Sequence, residues 1–247
     1  MRHARALWRL LCLLAHGVRG LWTIKTRFPG WSTLEREQAV QRWAAGVLSL
    51  SGIGLQVNGA PLSAGPVLLV ANHISWLDIV VIHAAGYCRF VSKADVQHWP
   101  LVGALATGAG TLYIERASRR DAMRVVHHMR DRLAAGDVVA IFPEGTTGDG
   151  RTLLPFHANL VQAAISADVP IQPLALRFAD GVRGPTSFAP SFVGDETLVG
   201  SVWRTLGAAQ LVAHVHVGTP ERHVGRDRRT WAQDLQAEVE RLRALTG

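Results

Sequence analysis

Strand-like runs of apolar and β-branched residues recur along this chain, and between most of them lies enough sequence for one helix. The runs fall at 54–57, 67–71, 89–92, 111–115, 138–142, 171–178 and 211–217. Helical stretches fill the intervals at 77–85, 94–106, 118–135 and 157–167. A last amphipathic helix over 227–245 puts Trp231, Leu235, Val239 and Leu242 on one face. Strands alternating with helices predict an α/β fold, a mixed and largely parallel sheet with helices packed on it. The segment 180–206 opens with clustered Gly and Pro and reads as a long loop. At 247 residues, 48% of them hydrophobic, the chain can bury a full core as one domain with an appendage.

In open α/β sheets, ligands gather beyond the carboxyl ends of the strands. Four runs end in chemically useful residues: His73 after 67–71, Lys93 after 89–92, Arg116 after 111–115 and Glu144 after 138–142. The run 67–71 passes directly into Asn72-His73, with Asp78 five residues on. A histidine there can serve as a general base oriented by the carboxylate. Ser75 and Asp78 equally fit a capping box, in which Asp78 only satisfies a backbone N–H. Two residues five apart on one helix point about 140° apart. His73 and Asp78 therefore meet only if His73 precedes the helix, with Ser75 as its N-cap. Lys93 and Arg116 also read as ordinary surface charges, and Glu144 as part of the turn Phe142-Pro143-Glu144-Gly145-Thr146-Thr147.

Other candidates carry less. Ser75 as a nucleophile lacks a Gly-x-Ser-x-Gly elbow. His214 and His216 share a strand face without a carboxylate or cysteine to complete a metal set, and His127-His128 read as a solvated helix face. Cys12 and Cys88 form no disulfide framework.

The charge is unevenly placed. Residues 1–50 hold eight Arg or Lys against two Glu, whereas 51–247 hold eighteen against seventeen acids. A near-neutral body argues against a nucleic-acid partner. On a helical projection of residues 2–22, Leu7, Leu10, Leu11, Leu14, Val18, Leu21 and Trp22 share one face. Arg2, Arg5, Arg9, His16 and Arg19 share the other. The longest uncharged apolar stretch, 10–15, is far short of a membrane span. The pattern reads as a helix in the bilayer interface, its arginines toward anionic headgroups. Phe28-Pro29-Gly30-Trp31 breaks it and Ser32 or Thr33 starts a second helix, so residues 1–50 form a hairpin ahead of a domain over 51–247.

Asn72-His73 with Asp78 resembles the NHxxxxD signature of the glycerolipid acyltransferases, the family of lysophosphatidate (1-acylglycerol-3-phosphate) acyltransferase. Gly110 to Arg116 resembles the family's second block, Phe142-Pro143-Glu144-Gly145-Thr146 its third and Val169 to Pro173 its fourth. The resemblance covers about 65–180. It implies that His73 takes the proton from the sn-2 hydroxyl of a lysophospholipid attacking a thioester, while Asp78 holds the imidazole. It implies that Arg116, with Glu144, Gly145 and Thr146, fixes the glycerol phosphate, and that Lys93 matches a lysine after the second strand. The donor would be acyl-carrier protein or coenzyme A thioester, the product phosphatidic acid, and no metal or other cofactor is implied. A peripheral position on the cytoplasmic face of the cell membrane suits such an enzyme. Two departures bear on the acceptor. Thr147 replaces a basic residue or serine, with Arg151 a nearby substitute as phosphate ligand, and 156–159 differs from the usual phenylalanine, lysine and glycine. A lyso-ornithine lipid acceptor is the alternative, and a hydrolase using Ser75 and His73 a further one.

Overall fold

The computed structural model describes residues 1–114 and 119–245. Seven strands form one sheet in the order β1-β7-β6-β2-β5-β3-β4. These are β1 Ile53–Gly59, β2 Val67–Ala71, β3 Arg89–Lys93, β4 Leu112–Ile114, β5 Val138–Ile141, β6 Ile171–Asp180 and β7 Leu211–Val217. β4, β3, β5, β2 and β6 run parallel, so their carboxyl ends lie along one edge. β7 runs antiparallel to β6, and β1 parallel to β7. The fold is therefore α/β with a mixed, mostly parallel sheet.

The period-2 alternation of each strand divides the core into two layers. Val67, Leu69 and Ala71 face one side with Leu174, Leu176 and Phe178, under α2 (Thr33–Ser51) and α3 (Leu77–Ala85). Leu68 and Val70 face the other with Val139 and Ile141. That side is covered by α5 (Arg119–Ala134), α6 (Ala158–Ala167) and α8 (Arg228–Ala244), the last burying Trp231, Leu235, Val239 and Leu242 as its periodicity predicts. A buried Gln172 accepts from Ser63 N and donates to the carbonyls of Pro61 and Gly218, fixing two loops at the opposite edge.

Two expected elements differ. The stretch 94–106 is a 3-10 turn over Ala94–His98, then a break, then α4 (Val102–Gly108). Pro100 is the cause: it disfavours helical backbone at Trp99, which is extended, and Leu101 follows at φ 64. The segment 180–206 is not all loop, because it contains most of α7 (Leu198–Gly207). Thr197 caps that helix by accepting from Gly200 N. Its fully buried residues are Ser201, Thr205, Leu206 and Gly207, mostly polar or small, whereas Leu198, Val202 and Trp203 of its apolar stripe are half-buried and Val199 is exposed.

α1 (Arg2–Thr26) packs on α2, α4 and α7 through Ala6, Gly17 and Gly20. Its orientation reverses part of the sequence expectation. Arg5 donates to Gly207 O, and Arg9 donates to the carbonyls of Leu206 and Ala208. His16 stacks on Trp43 of α2. Arg5 and Arg9 are thus turned toward the end of α7, whose last carbonyls need donors, while Arg19 of the same stripe is exposed. Leu7, Leu11, Leu14, Val18 and Trp22 face outward and are exposed. Among the described residues no helix is long and apolar enough to cross a membrane.

Candidate active site

The site lies where β2 and β5 end. Asn72 continues β2 with its side chain: Nδ2 donates to Leu176 O at 3.0 Å and Oδ1 accepts from Leu176 N at 2.7 Å. This double bond to β6 replaces the next rung of the ladder and delivers His73 just beyond the sheet edge.

His73 precedes α3, as the angular argument requires, and its Nδ1 lies 2.9 Å from Asp78 Oδ2. The same oxygen accepts from Ile74 N at 2.6 Å and Ser75 N at 2.8 Å. Asp78 is 0% exposed, while the His73 side chain is 17% exposed. The carboxylate sits in the first turn of α3, where the helix dipole favours negative charge. With Nδ1 committed to Asp78, the imidazole is left with Nε2 for chemistry.

Helix initiation departs in detail from the expected capping box. The N-cap position is Trp76, and the Ser75 hydroxyl accepts from Leu77 N at 3.2 Å. Ser75 is fully buried, so its hydroxyl has no route to a substrate. The N–H groups of Ile74, Ser75 and Leu77 are taken by Asp78 and Ser75, so none of these three is open to a bound anion.

Phe142 and Glu144, from the end of β5, hold His73 from the other side. The Phe142 ring stacks on the imidazole at 3.9 Å and 7°, backed by Phe90 at 5.5 Å. Glu144 Oε1 accepts from His73 N and Oε2 from Leu154 N, both at 2.7 Å. Burial pushes the Glu144 carboxyl up from its ordinary range, and the two backbone donors with the nearby His73 and Arg243 pull it partly back. Gly148 N donates to His73 O at 2.8 Å, so the loop after β5 arches over the histidine backbone. Gly145 has the left-handed backbone, φ 73, that this turn requires of a residue without Cβ. Thr146 is exposed, and Thr147 is turned away, its hydroxyl donating to Phe192 O. Lys93 is exposed at the end of β3. Arg116 lies outside the described residues; the strand before it, β4, is the sheet edge.

The structure therefore brings His73, Asp78 and Glu144 together. Sequence reasoning missed the clasp by Asn72, the stack by Phe142 and the bond from Gly148. Only Phe142 left a signal, as an aromatic residue at a strand end.

Known proteins of similar sequence and fold identify the family. The family described as Acyltransferase matches residues 54–177. The lyso-ornithine lipid O-acyltransferase of Pseudomonas aeruginosa is 38% identical over 94% of this chain and 89% of its own length. The 1-acyl-sn-glycerol-3-phosphate acyltransferase of Neisseria meningitidis serogroup B is 36% identical over 84% of this chain and 81% of its own. The fold matches the crystal structure of the 1-acyl-sn-glycerophosphate (LPA) acyltransferase PlsC from Thermotoga maritima. Its TM-score is 0.72 at 17% identity, covering 99% of this chain and 98% of that one. With the family match spanning half the chain and a relative aligned over nearly all of it, this chain belongs to the Acyltransferase family.

Proposed function

We propose that this enzyme transfers a fatty acyl group from acyl-carrier protein or coenzyme A to the sn-2 hydroxyl of 1-acylglycerol-3-phosphate, forming phosphatidic acid. The observation that carries the reading is a partly exposed imidazole whose Nδ1 is held 2.9 Å from a fully buried carboxylate at a parallel strand end. In this reading His73 Nε2 takes the hydroxyl proton as that oxygen attacks the thioester carbonyl. The tetrahedral intermediate collapses with loss of the thiolate, which receives the proton from the imidazolium. The C–O bond forms, the C–S bond breaks and no external acid is consumed. Asp78 orients the ring and stabilises its charged form. Lys93 and Arg116 meet the acceptor phosphate, with Gly145 and Thr146 shaping the loop beside it. No metal or other cofactor takes part in these steps.

A second acceptor, lyso-ornithine lipid, is favoured by the 38% identity over 94% of this chain to an enzyme of that name. The same histidine chemistry serves either hydroxyl.

The exposed apolar face of α1 supports a peripheral site on the bilayer, where a lysolipid acceptor resides. A thioester donor from the cytoplasm places that site on the cytoplasmic leaflet. The test incubates purified protein with labelled acyl donors and each lysolipid, then identifies the product. His73→Ala is expected to lower kcat by about 10²–10⁴-fold. Undiminished transfer by that variant removes His73 from the chemistry.

A further inference from the structure

Cationic residues occur on two sides of His73. Lys93 ends β3, beyond β5 in the strand order. On the opposite side of β2 a cavity of about 380 Å3 opens between β6, the loop after β5 and the end of α8. Its apolar wall is Ile74, the residue after His73, with Leu176 and Phe178. Arg151, Arg177 and Arg243 also line it, against the single carboxylate of Glu240.

Two of these arginines are built into the wall. Arg177 donates to Thr186 Oγ1 at 2.9 Å and to Gly184 O at 3.1 Å. Arg243 pairs with Glu240 at 2.8 Å and donates to Gly150 O at 2.7 Å. Arg151 is placed differently. Its side chain is 68% exposed, its guanidinium rests over the Phe188 ring at 4.4 Å, and Asp149 approaches it only to 4.0 Å. A guanidinium held over a ring face by a cation–π contact still has N–H donors for phosphate oxygens.

We infer that this cavity takes the phosphate end of the donor's phosphopantetheine arm, the group that acyl-carrier protein and coenzyme A share. The inference rests on the reading of the chain as a thioester-dependent acyltransferase. That reaction brings two amphiphiles with anionic ends to one histidine. In a lysolipid phosphate the charge lies a few bonds from the reacting hydroxyl. In the donor the phosphate is a whole pantetheine arm away from the thioester. The two anions therefore need separate cations, and the donor's should stand at an outer rim with apolar surface leading inward. Arg151, exposed at the rim of a cavity whose lining reaches Ile74, the residue after His73, meets that description, on the side of β2 away from Lys93.

The experiment uses the full-length protein, the lysolipid it turns over, and four donors: acyl-coenzyme A, acyl-carrier protein, acyl-4′-phosphopantetheine and acyl-pantetheine. The wild type is expected to show a KM about tenfold or more lower for acyl-phosphopantetheine than for acyl-pantetheine, as one charge-assisted phosphate contact supplies. Arg151→Ala should raise KM for the three phosphorylated donors by that factor. It should leave KM for acyl-pantetheine and for the acceptor unchanged, and Arg151→Lys should recover part of the loss. An acceptor KM that rises in place of the donor KM would overturn the proposal and give the cavity to the lysolipid headgroup. Equal KM values for acyl-phosphopantetheine and acyl-pantetheine in the wild type would also overturn it. Absence of product from the wild type with every donor and lysolipid is a different result, and refutes the acyltransferase reading itself.

Discussion

Asp78 shows how one side chain can satisfy two demands that look exclusive in sequence. A carboxylate in the first turn of a helix has a sufficient structural task, and the pattern Ser75 to Asp78 reads that way. In the fold Oδ2 accepts two backbone N–H groups and still meets His73 Nδ1. The cap and the orienter are the same atom, because His73 lies in the strand-to-helix turn that the cap stabilises. Another histidine, His83 in α3, has no part in this chemistry but governs stability. It packs edge-on against Phe90 at 5.0 Å, and its Nδ1 is buried without a partner among the described residues. Burial pushes it down to about 4 from 6.5. Between those values the unfolded chain binds the proton and the folded one does not, so stability is full above pH 6.5 and falls as pH drops toward 4. The expected loss across that window is about 3 kcal/mol, from 1.36 kcal/mol per pH unit. Denaturant titrations of His83→Leu at pH 7, 6, 5 and 4 should show that slope removed, with stability at pH 7 changed by no more than about 1 kcal/mol. An unaltered slope would assign the acid sensitivity to other groups.

Among the elements, α1 separates what a helical projection contains from what it lacks. Both stripes were legible in the sequence, because side-chain direction follows from the 3.6-residue period alone. Which stripe faces the protein was not. The partners of Arg5 and Arg9 are carbonyls at the end of α7, 202 and 197 residues away along the chain, which no local projection relates to α1. Without α7, arginines are naturally assigned to solvent or headgroups. β2, β5 and α8 were legible for the opposite reason: β2 and β5 are unbroken apolar runs, and α8 keeps its apolar residues on one face. At the site, His73 and Asp78 were legible from their spacing. The Asn72 clasp was not, since its partner Leu176 is 104 residues away. The orientation of α1 changes what membrane binding should look like. With Arg5 and Arg9 engaged internally, the exposed Leu11, Val18 and Trp22 supply the attraction, and salt screens it little. Vesicle sedimentation of Leu11→Asp with Val18→Asp should lose most of the bound fraction at 0.1 M and at 0.5 M salt alike. Wild-type binding that collapses at 0.5 M salt would return the main role to the cations.

At the scale of the whole molecule, the question is how far the helical hairpin can be removed. α2 starts with a complete capping box, Ser32 N to Glu35 Oε2 at 2.7 Å and Glu35 N to Ser32 Oγ at 3.3 Å. It ends at Gly52, whose left-handed φ of 66 turns the chain directly into β1. Between those ends it buries Val40, Val47 and Leu48, and Leu48 belongs to the layer beneath α3. Three buried aliphatic side chains contribute about 1.5–3 kcal/mol each. Their sum is comparable with the roughly 5–15 kcal/mol net stability of a domain. α1 buries mainly Ala6, Gly17 and Gly20, and so contributes much less apolar area of its own. Deletion of residues 1–50 is therefore expected to abolish cooperative unfolding, whereas deletion of 1–30 should leave a chain that melts cooperatively at a lower Tm. That shorter deletion should turn over a detergent-dispersed lysolipid while failing to sediment with vesicles. Calorimetry of both truncations distinguishes the cases: a cooperative transition near the wild-type Tm after removal of 1–50 would make α2 dispensable to the sheet it covers.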